Sequence, residues 1–144
     1  MTVSTYRNTT VVGNALPIAG DTPTAIRIVV AQLLLPALHG DYVDISSKVE
    51  VANHTPYLVM VAGYLQAVDP NGKALPAISR PMGENVAPPA TRKYYCDIQL
   101  AKFSVPFDGV WTFQHVLYAA STAVGPGDQV DVNFLDIQAA VLEL

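Results

Sequence analysis

A chain of 144 residues is one domain's worth and long enough to bury a core without covalent staples, and its single cysteine, Cys96, excludes an internal disulfide in any case. Hydrophobic residues make up 51% of the chain and charged residues only 14%, against a usual charged share of roughly 25%, so something other than water is expected to cover part of the surface, most simply a homo-oligomer contact. The net charge of -4 argues against nucleic acid, whose binders carry a basic face, and the most apolar run, Ile28 to Leu38, is broken by Gln32 and Pro36 and falls short of the about 20 residues a membrane span needs.

Residues 1–24 are rich in Thr, Asn, Gly and Pro, with one short apolar patch at Val11-Val12. They are expected to form an extended arm or edge strand ahead of a single domain over residues 25–144. Met1 to Arg7 holds no basic region followed by an apolar block, so no signal peptide is expected. The expectation is cytoplasmic synthesis with release or virion association, and the glycosylation patterns at Asn8 and Asn53 are read as chance.

Thr24 to Leu35 is dense in β-branched residues and predicts a strand. Tyr42-Val43-Asp44-Ile45 alternates, and Val49-Glu50-Val51 resumes the alternation. Tyr57 to Leu65 is apolar on both parities, which predicts a strand covered on both faces, the second cover being another subunit. Asp69-Pro70-Asn71-Gly72 is a turn. A long irregular loop is expected from there to Lys93, punctuated by Pro76, Pro81, Pro88 and Pro89. It carries Lys73, Arg80, Arg92 and Lys93 against Asp69 and Glu84, a net positive island in a negative chain.

Tyr94 to Ala101 alternates as a strand, with Cys96 packed as a small hydrophobe. Phe103 to His115 then reads as a strand end, a reversing Pro-Asp-Gly turn and a second strand whose inward face carries Trp111, Phe113 and His115. The last strand slips phase. Val130, Val132 and Phe134 share one parity, whereas Leu135, Ile137, Ala139 and Val141 share the other, so a β-bulge is expected near Phe134-Leu135. Some seven strands, with no long amphipathic helix, predict an all-β antiparallel sandwich of the jelly-roll kind.

Phe103-Ser104-Val105-Pro106, Gly109, Trp111 and Phe113 resemble the F-[ST]-x-P-x-x-G-x-aromatic-x-F pattern of C1q/TNF-like jelly rolls, and Gly127-Asp128-Gln129-Val130 looks like the G-D-x-V turn of the same superfamily. The likeness covers about the last 40 residues, and its two motifs stand closer together than in C1q domains. The chain is also similar to bacterial TNF-like lectins and to trimeric tips of phage fibres. The resemblance implies a homotrimer packed about a threefold axis.

The sequence shows no convergent catalytic set. His39, His54 and His115 lack metal-ligand spacing, Ser121 has no G-x-S-x-G elbow, and no basic neighbour activates Cys96. Asp128, Asp131 and Asp136 do not follow the EF-hand pattern, and Asp128 is expected to order its turn by bonding backbone amides. No metal or cofactor is expected, and an enzyme is the least favoured class. A sugar stacks its C–H face on a ring while planar polar groups take its hydroxyls, and Arg80, Arg92, Tyr94 and Tyr95 offer those types at one end of the loop, although Tyr94 and Tyr95 point to opposite faces. The leading expectation is a non-enzymatic homotrimeric, lectin-like module with a glycan ligand at those residues. The alternative is a virion structural protein, a fibre tip or decoration protein, in which the same loop contacts neighbouring subunits.

Overall fold

The computed structural model describes residues 2–10, 14–76, 78–79, 82–86, 93–125 and 127–143, giving the backbone course alone for residues 10, 14, 82, 84 and 93–102. Among these, nine strands follow one another: β1 (Thr2–Thr10), β2 (Asn14–Ala19), β3 (Ile28–Ala37), β4 (Tyr42–Asn53), β5 (Val59–Val68), β6 (Met82–Val86), β7 (Lys93–Ser104), β8 (Gly109–Ala120) and β9 (Gln129–Glu143). They form two layers, each built around one central strand. In the β9 layer, β9 pairs with β4 on one side and with β1 and β2 on the other, and β7 lies beyond β4. In the β8 layer, β8 pairs with β5 on one side and β3 on the other, and β6 lies beyond β5. β2 ties the layers together, because Asn14 to Pro17 pair with β9 while Ile18 and Ala19 run parallel to the end of β8.

From β3 onward every connection except β5 to β6 crosses from one layer to the other. Strands adjacent in sequence therefore face each other instead of pairing, which is the jelly roll. No helix of the described residues is long and apolar enough to cross a membrane.

Period-2 patterning sets the inward faces. On β3, Leu33, Leu35 and Ala37 are buried and Gln32, Leu34 and Pro36 exposed; on β4, Val43, Ile45, Ser47 and Val49 point inward. The phase slip of β9 is a bulge. Glu50 pairs with Phe134 and Val51 with Val132, so Asn133 is the extra residue. It restores inward burial on both sides, with Val130 and Val132 before it and Leu135, Ile137, Ala139 and Val141 after it. A second bulge, at Val30, lets both Val30 and Ala31 be buried.

Three expectations change in the structure. The Pro-Asp-Gly turn does not make a hairpin, because β7 belongs to the β9 layer and β8 to the β8 layer. The segment 105–108 is a crossover, docked on the β3–β4 turn: Gly40 N donates to Val105 O, Val105 N to Asp41 O, and His39 N to Asp108 Oδ1 at 2.7 Å. Gly109 is required at the start of β8, since its φ of +146° is combined with Pro70 atoms 2.4 Å from where a Cβ would sit. The loop after Asp69 is also less irregular than expected. Leu75 N and Ile78 N donate to Ala67 O and Leu65 O, Ser79 Oγ accepts from Leu65 N, and β6 continues along the same edge of β5. Finally, part of the second cover of β5 comes from its own chain. Ala62 and Tyr118 are buried against Ala25, with the Arg27 guanidinium 3.8 Å over the Tyr118 ring.

The core centres on Trp111 and Phe113, both fully buried. Phe103 meets each ring edge-on at 5.5 Å, Phe107 lies 5.1 Å from Trp111, and the Trp111 indole donates to Phe107 O at 3.0 Å. Trp111→Ala would empty this site and is expected to destabilise the fold by about 3 to 5 kcal/mol in equilibrium denaturation.

Candidate functional site

The predicted loop site falls outside the described side chains. Arg80 and Arg92 lie outside the described residues altogether. Tyr94 and Tyr95 stand on β7, in register with Val51 and Glu50 of β4, with only their backbone described. Cys96 pairs by backbone with Val49 on the same terms.

The acidic residues near the last strand have separate tasks. Asp128 accepts a hydrogen bond from the Tyr57 hydroxyl and another from Gly125 N at 2.8 Å, which holds its carboxyl below the usual range and orders the turn as expected. Asp131 lies 3.3 Å from His54. Asp136 accepts a bidentate pair from Arg7 Nε and Nη2, at 2.9 and 2.8 Å, with Thr9 Oγ1 donating at 3.1 Å. The Arg7 hydrogen bonds are the main cause of its lowered pKa, opposed by burial. Among the described residues no group of three His, Cys, Asp or Glu could hold a metal ion.

Asn53 is fully buried and uses both ends of its amide. Nδ2 donates to Tyr57 O and Val86 O, and Oδ1 accepts from Thr55 N and Oγ1. It is a turn-forming residue, closed to glycosylation in the folded chain.

The most unusual surface lies on the outer face of the β8 layer, where the register builds cross-strand rows. Gln32, Gln114 and Gln66 form one row across β3, β8 and β5. Leu34, Thr112 and Val68 form the next on one side, followed by Pro36 and Val110; Val29, Val116 and Tyr64 flank it on the other, followed by Tyr118 and Ala62. None of these thirteen residues is charged. Leu34 is 55% and Val110 53% exposed. The outer face of the β9 layer is the opposite, with Arg7, Lys48, Asp136 and Asp44 among its rows. Within the glutamine row, Gln66 Nε2 donates to Gln114 Oε1 at 2.7 Å, and Gln114 Nε2 to Gln32 Oε1 at 3.4 Å. Sequence reasoning registered Gln32 only as a break in an apolar run. The signal was three glutamines at outward parity in three apolar strands, which means nothing until the register is known.

An open groove of about 560 Å³ lies at one end of this layer, between the β2–β3 loop, the start of β5 and the end of β8. Asp21, Asn85, Ser121 and Thr122 rim it over Leu58 and Met60. Its loop wall is tied down by Asp21 Oδ1, which accepts from Thr24 N and Oγ1, and by Arg27, which donates to Thr22 O and Ala25 O.

No protein-family model matches the sequence, and no curated protein is similar to it. Solved structures share its fold. A chain from the structure of infectious bursal disease virus, Gx strain, aligns over 99% of this chain at 10% identity and a TM-score of 0.67. This chain spans 32% of that viral chain, about a third of its length. Two looser likenesses are the Eiger TNF of S. frugiperda, at 11% identity over 98% of this chain and 93% of the other, and the sugar-binding EclA C-terminal domain, at 16% over 85% and 82%. Their TM-scores of 0.44 and 0.42 are too low to build on. The likenesses establish a jelly roll and no sequence family.

His115 is fully buried on the inward face of β8, where its Nδ1 lies 2.6 Å from Ser47 Oγ and its Nε2 has no partner. Burial pushes its pKa from 6.5 down to about 4. The unfolded ring takes a proton at about pH 6.5 and the folded one only near 4. This group therefore costs nothing above pH 6.5, and stability falls as pH drops from 6.5 to about 4, by about 3 kcal/mol in total. Urea denaturation over that range is expected to show the loss, and the Ser47→Ala/His115→Leu variant to flatten it.

Proposed function

We propose that this chain is a non-enzymatic structural jelly roll, a shell or decoration-type domain of a virus particle, which works by packing against neighbouring protein chains. The outer face of the β8 layer is the packing surface. The observation that carries this reading is the absence of charge from its cross-strand rows, together with the exposure of Leu34 and Val110 at their edge. A sheet face that stays in water normally alternates apolar-in with polar-out, and a contiguous apolar patch on a small protein marks a contact site. Interface cores are likewise depleted of charge. The occurrence of the same fold in a virus-particle chain supports the setting.

The glycan-binding reading at Arg80, Arg92, Tyr94 and Tyr95 rests on residue types alone.

Leu34 and Val110 are exposed, so lysine is tolerated there by the folded monomer. The Leu34→Lys/Val110→Lys variant is expected to drop the light-scattering mass to that of the 15.4 kDa monomer, with Tm held within about 2 °C. An assembled mass that survives both lysines contradicts the packing role of this face.

A further inference from the structure

The amide row on this face has a direction. Gln66 donates to Gln114 and Gln114 to Gln32, both toward β3. Among the described residues nothing donates to Gln66 Oε1 at the β5 end, and nothing accepts from Gln32 Nε2 at the β3 end. Burying this face under a partner that ignores those two groups would strand both, and a stranded polar group in an apolar contact costs more than the bond it lacks. The partner must present an acceptor over β3 and a donor over β5.

A second copy of the same face does this under one simple operation. Two sheets pack face to face with their strands nearly aligned, about 10 Å apart. Turning the second copy about a two-fold axis in the contact plane, parallel to β8, lays its β5 over β3 and its β3 over β5. Gln32 of each copy then meets Gln66 of the other, donor to acceptor, twice. The flanking row matches under the same rotation, with Leu34 over Val68, so apolar meets apolar.

We infer that the outer face of the β8 layer binds a second copy of this chain about a two-fold axis parallel to β8, with Gln32 and Gln66 closing the amide row between the copies. The inference rests on the packing role proposed above, and it replaces the threefold axis that the TNF-like resemblance implies with an isologous pair. The polar row would set the register of an otherwise smooth contact, as a buried amide does between helices.

The test uses Gln32→Lys and Gln66→Glu, both outward-facing, prepared separately and followed by sedimentation and light scattering. Each variant alone buries an unmatched charge twice and is expected to self-associate at least about tenfold more weakly than the wild type. An equimolar mixture is expected to recover association, because the lysine of one copy then faces the glutamate of the other. Thermal melts of each variant confirm a folded chain. A mixture that associates no better than its components overturns the two-fold register, and so does a wild type that stays monomeric at about 100 µM, well above the Kd of a stable dimer. If the mixture fails while the Leu34→Lys/Val110→Lys variant still dissolves the assembly, the face packs in another way and only this inference falls. If those lysines also change nothing, the packing role falls with it.

Discussion

The jelly roll depends on how β9 is held. It is the centre of its layer, pairing with β4 along nearly its whole length, while its other edge is shared between β1 at the C-terminal end and β2 at the N-terminal end. A strand with a strict period of two could not bury both of its apolar runs, because Val130 and Val132 lie on one parity and Leu135, Ile137, Ala139 and Val141 on the other. The extra residue at Asn133 resolves the conflict. The bulge also falls where the neighbouring strand changes, between the last β1 pair at Leu135 and the first β2 pair at Val132. From there β2 can turn away to meet β8, and the two layers become one curled sheet.

With the inner faces committed to the core, the two outer faces are free to differ, and they do. The β9 layer closes its outer face with its own charges, notably the Arg7 clamp on Asp136, which also fastens β1 to β9. The β8 layer closes only one end of its face, where Arg27 stacks on Tyr118 and Ala25 covers Ala62. The rest is uncharged, and its polar groups are the glutamine row with the hydroxyls of Thr112 and Tyr64. Inside the sandwich the polar exceptions are few. His115 and Ser47 bond each other across the two layers, and the nitrogen left over makes that pair the acid-sensitive point of the core.

Much of this was legible from residue types. The phase slip located the bulge to within two residues, the parity of Trp111, Phe113 and His115 identified the deepest part of the core, and Asp128 holds its turn as its place after Gly127 suggested. What could not be read was anything that depends on which strand lies beside which. Pro106-Phe107-Asp108-Gly109 signals reversal equally well for a hairpin and for a crossover, and only the pairing of β7 with β4 separates them. β6 escaped notice because Met82-Gly83-Glu84-Asn85-Val86 is short, contains a glycine and stands among prolines. The glutamine row is the extreme case, since its three members are separated by 34 and 48 positions or more in the chain and meet only through register. The low charge of the chain pointed to a covered surface, and the proposed contact puts that cover on the outer face of the β8 layer.

Hydroxyl-radical footprinting of the wild-type protein, compared between its dilute and its assembled states, tests that location most directly. Loss of reactivity at Leu34, Val110 and Val29, with Val3 on the β9 layer unchanged, is the result that packing through the β8 layer predicts. Protection of Val3 with Leu34 and Val110 still fully reactive would contradict it.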